Sequence, residues 1–409
     1  MISSFLFDVT CECVARLFPN TFTTDKELLN IKKHLLQLQS LGLIMKNTFK
    51  LSLAAVLVST AMAANAGISI VDNEQGNFSI GGDVEFDFNF QDREGVENNE
   101  FNQTGRILLE FAGERITNTG HVFQVNVQPL MESSGNVALD DAWFAFGAQD
   151  GWNLRMGRFE AFDMFPVGQD TFLEYSGDTS NELVSDAAPY VYQMKEARGR
   201  GSDGQIMYSQ TFNNLYVELG SMIGDRSDLF VGGTYHGATI DTDKTKDSVL
   251  IRPVVGYQAG NFGIAASLET NLVKNAVVTD SGVDISDRMG YGVTANYTTA
   301  DWNLIANFAY MDAVDENNMT AGVNALYKGF GLGYIHANNE YENKKLTYTE
   351  GKAKVDTVYA SYEFADVLQV DDFSIYLGAY YTTIDDQTTA KVFEEESDKG
   401  VRVRFKYFF

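Results

Sequence analysis

Val401-Arg402-Val403-Arg404-Phe405-Lys406-Tyr407-Phe408-Phe409 closes the chain, and its alternation decides the fold. Val401, Val403, Phe405, Tyr407 and Phe409 point one way, and Arg402, Arg404 and Lys406 point the other. A strand of a soluble sandwich can alternate like this, but an uncovered row of five apolar side chains at a chain end aggregates in water. Lipid covers such a row. The pattern therefore predicts the closing strand of a transmembrane β-barrel, greasy outside and wet within.

Working outward, the same period of two recurs in segments of about 10–12 residues. The first sets Val84, Phe86, Phe88 and Phe90 against Asp83, Glu85, Asp87 and Asn89. Another sets Met289, Tyr291, Val293, Ala295 and Tyr297 against Gly290, Gly292, Thr294 and Asn296. Short connections fall near Asn118, Asp150, Asn213, Gly260, Ala300, Gly329 and Asp366. Longer polar ones fall near 91–102, 131–136, 160–202, 225–246, 272–286, 313–317, 341–352 and 386–398. Seven turns and eight loops predict an all-β, antiparallel, up-and-down barrel of about 16 strands with both ends on the periplasmic side. Residues 229–240 are read as a hairpin inside the fourth loop rather than as a further strand. Trp152, Phe212, Phe262, Trp302, Phe330 and Phe373 sit at or beside the short turns, where an aromatic belt meets the headgroups. Pro166 and Pro189 fall in the long third loop, and Pro129 and Pro253 are expected at outer strand ends, where a missing donor costs least.

The segment ahead of these strands reads differently. Met45-Lys46-Asn47-Thr48-Phe49-Lys50 is basic, an apolar run follows to Ala64, and Ala64-Asn65-Ala66 is a small-x-small site. That order predicts a signal peptide over 45–66, cleaved after Ala66, with 1–44 an upstream extension and 67–409 the barrel. Cys11 and Cys13 are the only cysteines, so the barrel domain makes no disulfide. Their Cys-x-Cys spacing lacks a third ligand nearby, and no metal or other cofactor is expected.

With 56 acidic against 30 basic residues, the chain does not suit nucleic acid as a partner. Catalysis finds little footing. Residues 67–409 hold three histidines (His121, His236, His336) and neither a Gly-x-Ser-x-Gly nor a His-Glu-x-x-His motif. Gly199–Gly204 fits Gly-x-Gly-x-x-Gly without the strand and helix that give that motif meaning. Asp315-Glu316-Asn317-Asn318 reads as a solvated loop tip rather than a calcium site.

Asp140-Asp141-Ala142-Trp143-Phe144-Ala145-Phe146, followed by Leu154-Arg155-Met156-Gly157-Arg158-Phe159, resembles the fourth and fifth strands of the general bacterial porins leading into their third loop. The C-terminal alternation, with Phe405, Tyr407 and Phe409, resembles the signal read by the barrel-assembly machinery. The resemblance implies a trimer in the Gram-negative outer membrane, among lipid and lipopolysaccharide, passing small hydrophilic solutes and ions. It also implies a third loop folded into the lumen, its carboxylates facing a basic ladder across the constriction. The acids so placed are Glu160, Asp163, Asp170, Glu174 and Asp178. The bases are Arg106, Arg155, Arg198, Arg200, Arg402 and Arg404, with Lys195 a further candidate; strand parity by itself turns Arg106, Arg155, Arg402 and Arg404 inward. Asp83, Glu85 and Asp87 depart from the family by putting acids on the first strand, which with the acidic excess leans toward cations. Phe159, Phe162, Phe165, Phe172, Tyr175, Tyr190 and Tyr192 populate the third loop. As a track of ring faces they would make an oligosaccharide-selective pore; packed on the wall they would only anchor the loop.

Overall fold

A computed structural model describes residues 67–93, 100–169, 189–200, 204–346, 349–390 and 396–409. The expected extension and signal segment lie outside the described residues.

The strands are β1 (Ile68–Asn73), β2 (Gly76–Arg93), β3 (Glu100–Ile116), β4 (His121–Glu132), β5 (Val137–Ala148), β6 (Trp152–Arg158), β7 (Gly204–Phe212) and β8 (Leu215–Gly224). They continue as β9 (Thr234–Tyr235), β10 (Ala238–Thr239), β11 (Ser248–Ala259), β12 (Phe262–Asn271), β13 (Met289–Thr298) and β14 (Trp302–Ala313). The last are β15 (Glu316–Tyr327), β16 (Phe330–Tyr341), β17 (Gly351–Phe364), β18 (Phe373–Asp386) and β19 (Glu396–Phe408). β2–β8 and β11–β19 form the wall, each antiparallel to its neighbours in sequence. Two pairings close the ring. β8 meets β11 from Gly224↔Ser248 to Leu215↔Tyr257, and β19 meets β2 from Asp398↔Arg93 to Phe408↔Asp83. The wall is thus a closed 16-stranded barrel, with no α-helix among the described residues.

Closure is what a membrane requires, because an open edge would strand its N–H and C=O groups in hydrocarbon. The outward rows are as the alternation predicts: Phe88, Phe90, Tyr291, Val293, Leu304, Phe308, Val358 and Tyr362 are exposed, while their neighbours Asp87, Asn89, Gly290, Gly292 and Thr357 are buried. Trp302 packs at a tilt on Tyr327 with ring centroids 4.4 Å apart, and Phe373 meets Tyr407 edge-on at 6.3 Å, so the aromatics beside the short turns form cross-strand pairs. Asp150, Asn213 and the pair Lys328-Gly329 take positive φ at these turns, the geometry that lets two twisted strands meet through a link of two or three residues.

Three details differ from expectation or resolve it. Residues 313–317 are not a long loop: β14 and β15 pair to Ala313↔Glu316, leaving only Val314-Asp315 between them. The Asp315 carboxylate accepts from the backbone N–H groups of Lys344, Lys345 and Leu346, tying this turn to the next loop. Pro253 lies inside β11, not at a strand end; it pairs with Leu219 on β8, while the register to β12 skips from Ile251 to Val254. Its missing N–H falls in that gap. Residues 234–239 form the β9–β10 hairpin within the fourth loop.

The C-terminus seals the seam. Phe409 and Gly82 exchange backbone hydrogen bonds at 3.0 Å, and Phe405 meets Phe88 edge-on at 6.0 Å. Tyr407 and Phe409 stack at 6.2 Å on the outer face.

Candidate functional site

The long loop after β6 enters the barrel, and the wall is built to receive it. Its outgoing limb reaches the far wall. Asn307 on β14 and Asn324 on β15 donate to the Pro166 carbonyl at 2.8 and 3.2 Å, and Tyr359 on β17 donates to the Val167 carbonyl at 3.2 Å. Ser361 donates to Gln169 at 2.9 Å. The returning limb follows the wall back. Tyr190 exchanges two 3.1 Å hydrogen bonds with the Asn339 side chain on β16, Tyr192 donates to Glu269 on β12 at 2.6 Å, and Glu269 also accepts from the Ala197 N–H at 3.2 Å. Inward glycines make the seat. A Cβ on Gly290 would lie 1.8 Å from the Tyr192 hydroxyl, and one on Gly292 would lie 2.1 Å from the Met194 sulfur. Phe159, Phe162, Phe165, Tyr190 and Tyr192 are all buried, with Phe159 fully so. They anchor the loop and present no free ring face. Phe172 and Tyr175 lie outside the described residues.

The acids and bases expected to face one another across the bore are sorted in two groups. Arg198 and Arg200 belong to the loop itself. Arg198 bridges Glu160 at 3.0 Å and Asp163 at 3.3 Å, while Arg200 bridges Asp140 at 2.8 Å and Asp141 at 2.9 Å. These contacts fasten the loop's two ends to each other and to β5, so Glu160 and Asp163 meet their cations at the loop root. Burial pushes the Asp163 carboxyl up, but the Arg198 and Lys195 charges and the Phe165 N–H outweigh it and hold it below the usual range. Arg155 faces inward as parity requires; its guanidinium lies 4.1 Å over the Trp143 ring and 5.3 Å from that of Phe159, under the same root. Asp170, Glu174 and Asp178 lie outside the described residues.

The second group is a zipper on the wall where β19, β2 and β3 adjoin. Arg404 grips Asp87 through Nε at 2.7 Å and Nη2 at 2.8 Å, and reaches Glu85 at 3.1 Å. Arg402 donates to Asn89 at 2.7 Å and lies 3.4 Å from Asp87; Lys406 holds Glu85 at 3.2 Å and Arg106 holds Asp83 at 3.3 Å. The first-strand acids, taken from sequence as bare negative charge, are each matched by a base on an adjacent strand.

A third set escaped the sequence reading. Arg252 on β11 is fully buried between Glu218 and Glu269, at 3.6 and 3.9 Å, and donates to the Phe162 carbonyl at 2.6 Å. Arg288 pairs with Glu196 of the returning limb at 3.0 Å. Alternation within β8, β11 and β12 turns Glu218, Arg252 and Glu269 inward, so parity held the signal for these three. No local pattern marks Glu196 or Arg288. Among the described residues no cluster of His, Cys, Asp and Glu suits a metal.

Residues 57–409 match the family described as porin-like glycoporin RafY. No curated protein matches the chain in sequence. Among solved structures the chain is similar to Salmonella typhi OmpF in complex with daunomycin, at 13% identity, covering 83% of this chain and 100% of that one with a TM-score of 0.56. It is similar to an anion-selective porin from Comamonas acidovorans (12% identity, 82% and 100% covered, TM-score 0.55) and to the trimer form of in-vitro folded OmpT from Vibrio cholerae (13%, 82% and 100%, 0.52). At these identities the likeness is one of fold.

Proposed function

Because the chain belongs to the porin-like glycoporin RafY family, a channel of the Gram-negative outer membrane, we propose that it passes small hydrophilic solutes and ions by passive diffusion, with a preference for cations. The observation that carries this reading is the charged zipper of β19, β2 and β3, which leaves a polar, ion-lined wall inside a barrel crossed by its third loop. The zipper itself is close to balanced. Cation preference therefore rests on the chain's acidic excess, a net charge of −26, which draws cations to the mouth. The sign is open to measurement because the fold does not fix it: the similar Comamonas acidovorans structure is an anion-selective porin. Reversal potentials under a salt gradient test it, and a potential of anionic sign would overturn it.

The glycoporin description supports a second reading, a channel for oligosaccharides. In that case sugar hydroxyls would meet inward amides and carboxylates such as Asn126, Gln124 and Glu110, since the described loop aromatics are packed away. Blockade of single-channel current by added oligosaccharide would favour this reading, and undisturbed current would favour the general pore. We also propose a homotrimer, by analogy with the trimer form of OmpT. The terminal Phe405, Tyr407 and Phe409 would be read by the barrel-assembly machinery, and lipopolysaccharide would surround the outer rim.

A further inference from the structure

The loop between β8 and β11, residues 225–247, also turns into the barrel, with Phe230, Tyr235 and Ile240 buried. Its β9–β10 hairpin ends on the luminal faces of β15 and β16. Tyr235 donates to the Val314 carbonyl at 2.9 Å and to Glu316 at 2.8 Å. His236 Nε2 lies 3.0 Å from Glu316 Oε2, and its ring stacks on Tyr235 at 4.1 Å and meets Tyr341 edge-on at 5.3 Å. Both Tyr235 and His236 are 1% exposed. The loop's other side is laced to residues 272–288: Asp241 N–H donates to the Val278 carbonyl and Asp280 N–H to that of Thr239, each at 2.9 Å. The Arg288 guanidinium lies 5.7 Å from the Phe230 ring centroid and 6.0 Å from that of Tyr235.

Glu316 faces the lumen in step with Asn318, Thr320 and Gly322 of β15. Its Oε2 takes the contacts from the 225–247 loop, and its Oε1 accepts from Tyr190 of the third loop at 3.0 Å and from Asn318. One carboxylate therefore holds both inward loops at one point on the wall.

We infer that the 225–247 loop is a second element narrowing this channel, and that Glu316 is the positioning residue that sets the bore by clamping both loops to β15; the inference rests on the channel reading above. Both loops occupy cross-section that water would otherwise fill, and both are pinned on the β14–β16 side. Loss of the carboxylate takes this acceptor from Tyr190 and His236 in a buried place and leaves Tyr235 only the Val314 carbonyl, so the loops rearrange or loosen. The current then changes because the narrowing does.

Single-channel recording of the full-length protein in planar bilayers tests this. The variants are Glu316→Ala, the pair Tyr190→Phe and Tyr235→Phe, and a protein with residues 229–240 replaced by a short Gly-Ser linker. Folding is checked by the mobility of unheated samples on gels. We expect conductance to rise by about half or more in Glu316→Ala and further in the shortened loop, with the paired Phe variant adding open-channel noise. Glu316→Gln, which keeps an acceptor oxygen, should fall between wild type and Glu316→Ala. Should Glu316→Ala fail to fold, the shortened loop decides alone. Wild-type current through a folded, shortened-loop channel would overturn the inference while leaving the channel reading intact. A wild-type protein that passes no current would overturn the channel reading, and the inference with it.

Discussion

Asp87→Asn is the sharpest test of how the seam holds. Asp87 is 3% exposed and accepts two hydrogen bonds from Arg404, at 2.7 and 2.8 Å, with Arg402 at 3.4 Å. A hydrogen bond to a charged group contributes about 1.5–3 kcal/mol, and breaking a buried pair outright costs about 3–5 kcal/mol. The amide keeps one acceptor oxygen, Arg404 keeps Glu85 at 3.1 Å, and Arg402 keeps Asn89 at 2.7 Å. Neither arginine is stranded, so the lower end applies: about 2 kcal/mol, or roughly 30-fold in the folded-to-unfolded ratio. Urea unfolding in lipid vesicles, followed by tryptophan fluorescence, measures it. A cycle with Arg404→Gln should give a coupling of about 1 kcal/mol or more, since the two residues touch. The lumen also gains one positive charge relative to wild type, so the reversal potential should move toward anions. Unchanged stability, zero coupling and an unmoved reversal potential would together refute the claim that this pair both closes the seam and faces the passage.

Three further outcomes are expected. Gly292→Val places side-chain atoms where Met194 sits, within 2.1 Å of its sulfur at Cβ alone, so the third loop should leave its seat; faster protease cleavage of the loop and altered conductance in a folded barrel would register this. The depressed folded-state pKa of Asp163 means that its pairing with Arg198 contributes fully above the ordinary carboxyl value of about 3.9 and is lost as pH falls through the lower folded value. Conductance should accordingly hold from neutral pH to about 4 as far as this contact is concerned, and an Asp163→Asn channel should lose any acid-induced change that Asp163 causes; identical acid responses in both would exclude it. Deletion of Phe409 removes the backbone exchange with Gly82 and the stack on Tyr407, so membrane-inserted protein should fall, as read by immunoblot of cell fractions.

The barrel was largely legible in the chain. Val401 to Phe409, Val84 to Phe90 and Met289 to Tyr297 each carry a period of two, and a period of two separates inside from outside without help from any other part of the molecule. Short turns announced themselves through Asp150, Asn213 and Gly329 because left-handed backbone is a local demand. Errors came where local signals were weak. Val314-Asp315 looked like part of a polar loop because Glu316 and Asn318 are polar, yet those residues face other side chains inside the barrel.

What sequence determined by itself was therefore the wall: which side chains meet lipid, which meet the lumen, and how many times the chain crosses. Which charges meet which was settled only by closure. Arg404 and Asp87 lie hundreds of residues apart and become neighbours when β19 pairs with β2. The loops depend on tertiary structure still more, because Tyr190 of one loop and the neighbours Tyr235 and His236 of another converge on Glu316, and no periodicity encodes where a loop lands. Alternation is a property of neighbours along the chain, whereas a constriction is made by neighbours in space.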